Sequence, residues 1–404
     1  MVLPMPTREL SLPEKEGLKF LHDQGIVSAL LHVTETGLEK SILDATRQIR
    51  KLFFDSGFHD YEKQGQGQDN KLIVLGKFIS HEIIQQTKVS LYRPITKLGD
   101  PRIWPTGLKN HASCGDVIAV FILGKECCFT NLTRLCPKTK KNTFENSLLQ
   151  SLLTGNSLLH NPAANELLKN LKQLAAIGPI KAICKGPTAI GRSLENALGI
   201  EMNSSQLPDF KGIEIKAFRE LINNSKGTRV TLFACVPDWN LSFLKGSKGI
   251  LEAFGYERGK DFKLYCTVGL GKPNSQGLVL ALDDAKGWLR ENSTSKQFPQ
   301  VAVWPLEKLE DKLCSKHKET FWIKATSFQS HGSEYFKILS ATHTKGPNVF
   351  QLERLLLRNE ITVDHLIKKN IAGIVKEKGP LFKIQRKFIP DLFLGKPVIY
   401  SFES

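Results

Sequence analysis

The sequence predicts two successive folding units: a β-rich, barrel-like unit first, then an α/β core built on a mixed sheet. Three observations point that way. Up to about residue 136, short apolar runs recur between turn signals, which favours a barrel or sandwich. Residues 137–143 read PKTKKNT, a basic linker. Beyond about residue 176, strand-like runs are flanked by helical periodicity. At 404 residues the chain is long enough for each unit to have its own core.

In the first unit (1–136), strands are expected at 25–33, 71–78, 88–92, 117–123 and 126–132, where apolar residues cluster between Gly, Pro and Asp. A single helix is expected near 38–54, apolar at Leu43, Ala45, Ile49, Leu52 and Phe53. Residues 91–109 interleave Arg93, Lys97, Arg102 and Lys109 with Tyr92 and Trp104. A loop of that composition can present cations and an aromatic ring to nucleic acid. It reads equally as a folded loop whose Trp104 fills the barrel while its arginines cap carbonyls.

Residues 137–175 hold the linker and then helical spacing, broken at Gly155 and at Asn161-Pro162. A helix follows at 186–199, with Pro187 near its start, Ile190, Leu194, Ala197 and Leu198 on its apolar stripe, and Gly199 at its end. Glu195 sits on its polar side. Further strands are expected at 212–218, 229–236, 262–268, 278–282, 300–304, 320–326 and 335–341, and a helix at 348–359.

The most informative stretch is Asp209-Phe-Lys-Gly-Ile-Glu-Ile-Lys216. On a strand, Glu214 and Lys216 share one face while Ile213, Ile215 and Ala217 take the other. Asp209 follows Pro208, which favours a turn that returns its carboxylate toward Glu214. Two neighbouring carboxylates make an oxygen-rich site for Mg²⁺, and the lysine can hold a water or a phosphate charge. The plainer alternative is an edge strand whose outer face carries a Glu214–Lys216 ion pair.

The pattern of a Glu in a helix ending in Leu-Gly, then Asp-x4-Glu-x-Lys, resembles the MvaI/BcnI restriction endonucleases and their relative, the mismatch-repair nickase MutH. The matching residues are Glu195 in RSLENALG, Asp209 in LPDF, and Glu214 and Lys216 in GIEIKAF. The likeness continues through Trp304-Pro-Leu-Glu-Lys-Leu. It implies a PD-(D/E)xK nuclease fold over 176–404, with Asp209 and Glu214 as Mg²⁺ ligands, Lys216 activating water and Glu195 as a supporting acid. It also implies cutting of double-stranded DNA at a short, near-palindromic site of the CCWGG or CCSGG kind, by a monomer. The first unit resembles in type the N-terminal effector-DNA-binding pseudobarrel of EcoRII, which implies a DNA-binding domain activated by a second site. A MutH-like nickase, or a DNA-binding regulator without catalysis, are the other readings.

Composition agrees with a polyanionic partner. Net charge is +16, from 56 basic and 40 acidic residues. Nothing resembles a signal peptide, a bilayer-crossing apolar run or a lipidation signal, so a cytoplasmic protein without a membrane partner is expected. The eight cysteines include no C-x-x-C pair; free, mostly buried thiols are expected. Cys314-Ser-Lys-His317 is half of a zinc spacing without its other half. Gly269-Leu-Gly-Lys272 lacks the earlier glycine of a P-loop, so no nucleotide cofactor is expected. For reading or gripping DNA, the candidates are His343, Lys345 and Asn348, in a polar stretch at 340–348 read as a loop. Lys383 and Arg386 join them, in a basic run that includes Lys368, Lys369, Lys376, Lys378 and Lys387.

Overall fold

The computed structural model describes residues 8–80, 83–96, 99–135, 161–200, 208–220, 229–259, 261–369, 373–376 and 379–402. The chain divides into two compact units, Met1–Leu158 and Leu159–Ser404. Charge divides unevenly between them: 20 basic against 16 acidic residues in the first, 36 against 24 in the second.

The first unit opens with a helix, Leu12–Asp23, that the strand-centred reading missed. Its signal is a capping box: the Ser11 N–H donates to the Glu14 carboxylate at 2.8 Å, and the Glu14 N–H donates to Ser11 Oγ. Seven strands follow: β1 (Ser28–His32), β2 (Leu43–Asp44), β3 (Leu72–Ile79), β4 (Ile84–Tyr92), β5 (Arg102–Pro105), β6 (Val117–Leu123) and β7 (Glu126–Asn131). They form one sheet in the order β1-β6-β7-β3-β4-β5-β2. With β1 and β2 at its two ends, no ladder among the described residues closes it into a complete barrel. The single helix expected at 38–54 is instead two, Glu35–Lys40 and Arg47–Asp55, with β2 between them. Ser41 in the left-handed region ends the first, and the Thr46 hydroxyl caps the second.

In the second unit the strands are β8 (Ile180–Lys181), β9 (Glu214–Arg219), β10 (Arg229–Ala234), β11 (Tyr256–Arg258), β12 (Asp261–Val268), β13 (Leu278–Asp283) and β14 (Trp288–Ser293). They continue with β15 (Gln300–Pro305), β16 (Glu319–Ser330), β17 (Ser333–Pro347), β18 (Ile361–Lys369), β19 (Val375–Lys376), β20 (Leu381–Gln385) and β21 (Phe393–Ser401). Three sheets result: β21-β17-β16-β9 with β8 on β17, β10-β20-β18-β12-β11 with β19 on β18, and β13-β14-β15. The first is mixed, because β9 runs parallel to β16 while β17 is antiparallel to it.

Helices cover these sheets. Helix Pro162–Ile177, started by Asn161 as N-cap and Pro162 behind it, lays Ala164, Leu167 and Leu171 against Ile213, Ile215, Phe321 and Ile323. Asn161-Pro162 therefore begins a helix, while 146–160 lies outside the described residues. The larger core joins the other two sheets to helix Leu306–His317, with Trp304 and Trp322 at its centre. Trp304 is fully buried; its indole N–H donates to the Cys235 carbonyl at 2.9 Å and its ring meets Phe382 edge-on at 5.8 Å. Trp304→Ala should therefore destabilise the second unit by about 3–5 kcal/mol, read as a lower urea midpoint. A change under about 1 kcal/mol would mean the site collapses without a cavity.

Candidate active site

Asp209 and Glu214 are brought together by a tight turn. Lys211 and Gly212 both have positive φ (48° and 86°), as in a type I′ hairpin turn. The flanking Phe210 and Ile213 exchange backbone hydrogen bonds of 2.8 and 2.9 Å. The chain thus doubles back, and Asp209 Oδ2 accepts the Ile215 N–H at 2.9 Å. The glycine supplies one left-handed position without strain, and Lys211 accepts the other.

Past the turn, alternation on β9 separates core from site. Ile213 and Ile215 point into the helix-covered core. Glu214 and Lys216 take the opposite face, in parallel register with Thr320 and Trp322 of β16. The Glu214 carboxylate is fully buried between two ammonium groups, Lys216 Nζ at 2.6 Å and Lys316 Nζ at 3.0 Å. Lys216 thus faces one carboxylate oxygen and Lys316 the other. Burial raises the Glu214 pKa, opposed by Lys216. Glu195, half-buried on helix Ala189–Ala197, is also raised, first by burial and then by the charge of Asp209. Its titration responds as well to Lys216 and Glu214, so the four predicted residues share one electrostatic neighbourhood.

Lys316 is the site residue that sequence reading missed. It lies in the Cys314-Ser-Lys-His317 stretch weighed for zinc. There Cys314 is exposed, while His317 is buried with both ring nitrogens engaged. Its Nε2–H donates to the Leu232 carbonyl (2.9 Å) and its Nδ1 accepts from Thr320 Oγ1 (3.0 Å). Burial and the Lys216 charge push its pKa down to about 3, so the neutral ring stacks on Trp322 beside the two lysines.

The candidate DNA contacts are dispersed. Residues 340–347, expected as a loop, are the end of β17, paired on both sides by β16 and β21. His343 is buried there, stacked on Phe321 and bonded to Glu319 at 2.7 Å. Lys345 pairs with the same carboxylate at 3.3 Å. Asn348 is buried as the N-cap of helix Val349–Leu357, its Oδ1 accepting the Phe350 N–H. These groups hold the strand–helix corner together. Lys383 pairs with Asp364 at 2.8 Å, and the Arg386 guanidinium sits over Phe218, 4.1 Å from the ring centre. In the first unit, Arg93 donates to the carbonyls of Gly99, Tyr61 and Gln64, the fastening role anticipated as its alternative. Arg102 pairs with Asp44, Trp104 is half-buried on β5, Lys109 is exposed, and Lys97 lies outside the described residues.

Among the described residues, no three His, Cys, Asp or Glu side chains form a closed metal cage. The pair of Asp209 and Glu214, neighbouring carboxylates across one turn, suits an ion that keeps most of its ligands as water and substrate phosphate. No helix among the described residues is long and apolar enough to cross a membrane.

Comparison with known proteins bears on the fold and the family. Residues 168–393 match the model of the MvaI/BcnI restriction endonuclease family. A solved complex of restriction endonuclease MvaI with its cognate DNA substrate superposes with a TM-score of 0.51, at 22% identity, over 61% of this chain and all of that one. MvaI without DNA aligns over 60% of this chain and 99% of its own, at 22% identity and a TM-score of 0.36. No curated protein sequence matches. The second unit thus has the fold of MvaI, and with more than half its length inside the family model the chain belongs to the MvaI/BcnI restriction endonuclease family, enzymes that hydrolyse DNA.

Proposed function

We propose that the chain is a Mg²⁺-dependent type II restriction endonuclease cutting duplex DNA at a short, near-palindromic site of the CCWGG or CCSGG kind. The observation that carries this is the turn that folds Asp209 back onto β9, beside a buried Glu214 that faces Lys216 and Lys316. Asp209 and Glu214 are the residues that would hold the ion, which supplies Lewis-acid polarisation of the scissile phosphate. Lys216 positions the attacking water and steadies charge as it grows on the phosphate. Lys216 and, less strongly, Lys316 oppose the rise that burial gives the Glu214 pKa, and Glu195, raised by burial and by Asp209, is the supporting acid. Attack in line leaves a 5′-phosphate and a 3′-hydroxyl. Arg386, over the ring of Phe218 two residues along the same face from Lys216, is the candidate for a neighbouring phosphate.

The first unit, 1–136, is read as an accessory DNA-binding domain that a second copy of the site engages. Its small charge excess suits an auxiliary grip, and Arg102, Trp104 and Lys109 are its candidate contacts. The cutting domain, 176–404, is taken to work as a monomer.

Unmethylated phage DNA incubated with Mg²⁺ should give discrete fragments sharing one terminal sequence. Supercoiled plasmid should become linear; relaxation without linear product would favour the nickase reading. Lys216→Ala should slow cutting by about 10³-fold while duplex affinity shifts no more than about threefold. Equal losses of both would remove its catalytic role.

Glu214 makes a second test. Its folded-state pKa is raised, so the folded form binds that proton more tightly than the unfolded chain and the ionised carboxylate costs stability at neutral pH. The cost fades as pH falls through the raised value. Glu214→Gln should therefore melt at or above wild type in EDTA at neutral pH, with the difference narrowing toward mild acid, while cutting is lost. A lower melting temperature for the variant would show that the two lysines outweigh burial.

A further inference from the structure

We propose that the solvent face of the β10-β20-β18-β12 sheet is the bed on which the duplex lies as it reaches the catalytic strand, and that Asp364 is the residue that positions its cations. This rests on the nuclease reading above and adds where the DNA runs.

One face of this sheet belongs to the large core, through Leu264, Val363, Ile367 and Phe382. The other is open at its centre, where the cross-strand partners Tyr265 and Leu366 are 44% and 41% exposed. Around them the face is basic: Arg229, Arg258, Lys263, Lys368 and Lys383 outnumber Asp261 and Asp364. Such a face complements a phosphate backbone, and the tyrosine and leucine offer sugar rings an apolar contact.

Asp364 organises the end nearest the site. Its buried carboxylate takes Arg229 by two bonds, 2.6 and 3.2 Å, Lys383 at 2.8 Å and Thr267 Oγ1 at 2.8 Å. Two cations on one carboxylate leave a net positive charge with fixed geometry. The bed is continuous with the catalytic face. β20 ends at Gln385, paired with Arg229, and the next residue is Arg386, stacked on Phe218 along the face of β9 that carries Glu214 and Lys216.

The test compares two double variants with equal charge loss. Lys263→Ala/Lys368→Ala removes two cations of the bed, whereas Lys169→Ala/Lys172→Ala removes two exposed lysines from helix Pro162–Ile177. Binding of a 30-base-pair duplex in EDTA is followed from low to moderate salt, with melting temperature as the check on folding. The first pair should flatten the slope of log affinity against log salt by about two, and the second should leave it unchanged. Asp364→Asn should weaken binding although it removes a negative charge, since both cations lose their anchor; tighter binding would deny it a positioning role. Equal slopes for the two lysine pairs would overturn the bed alone. A wild-type chain that fails to bind duplex at all would overturn the nuclease reading with it.

Discussion

The second unit depends on one constraint: a fully buried carboxylate, Glu214, held ionisable by two lysines from different parts of the chain. Burying a lone carboxylate is so costly that the group would protonate instead. Lys216 reaches it because strand alternation puts i and i+2 on one face. Lys316 reaches it because the parallel pairing of β9 with β16 sets the end of helix Leu306–His317 beside the start of β9. Beside the two lysines the protein keeps the His317 imidazole neutral, locked as the Nε2–H tautomer by Leu232 and Thr320. A charged imidazole there would sit beside two ammonium groups.

The same arrangement separates stability from function. The apolar face of β9 is packed under helix Pro162–Ile177, so Ile213 and Ile215 fix the strand independently of what the other face carries. The polar face is then free to hold an electrostatically unfavourable set, with three carboxyl groups within reach of one another's charge. Functional sites commonly store such cost where packing elsewhere compensates it.

The clustering of Asp209, Glu214 and Lys216 was legible because it is local. Asp209, Glu214 and Lys216 lie within one turn and one strand, and Lys211-Gly212 closes the loop between the carboxylates. Helix Ala189–Ala197 followed from its apolar stripe with Pro187 and Gly199 at its ends, and β9 from alternation, while the short β8 beside them was not expected. Lys316 was not legible, since only a parallel crossover brings it near Glu214, and its neighbours Cys314 and His317 suggested metal chemistry instead. His343 and Asn348 misled for a related reason. Polar residues with Gly and Pro read as a loop, yet β16 and β21 pair with both sides of that stretch and turn its polar groups to internal bonding. In the first unit, Ser11 and Glu14 spelled a helix start that the search for strands passed over.

Charge placement carries the argument one step further. The net excess of the chain lies mainly in the unit that holds the buried carboxylate, and that unit spends part of its basic surface on internal pairs such as Lys345–Glu319. On the open sheet face Lys263 and Lys368 share Asp261, and Arg229 and Lys383 share Asp364, so its net positive excess is a better guide to a polyanion than the raw basic run at 368–387. A lysine count reports attraction at long range; only the register of β12, β18 and β20 says which of those charges share a surface, and Arg386, just past β20, meets Phe218 on the strand where Lys216 stands.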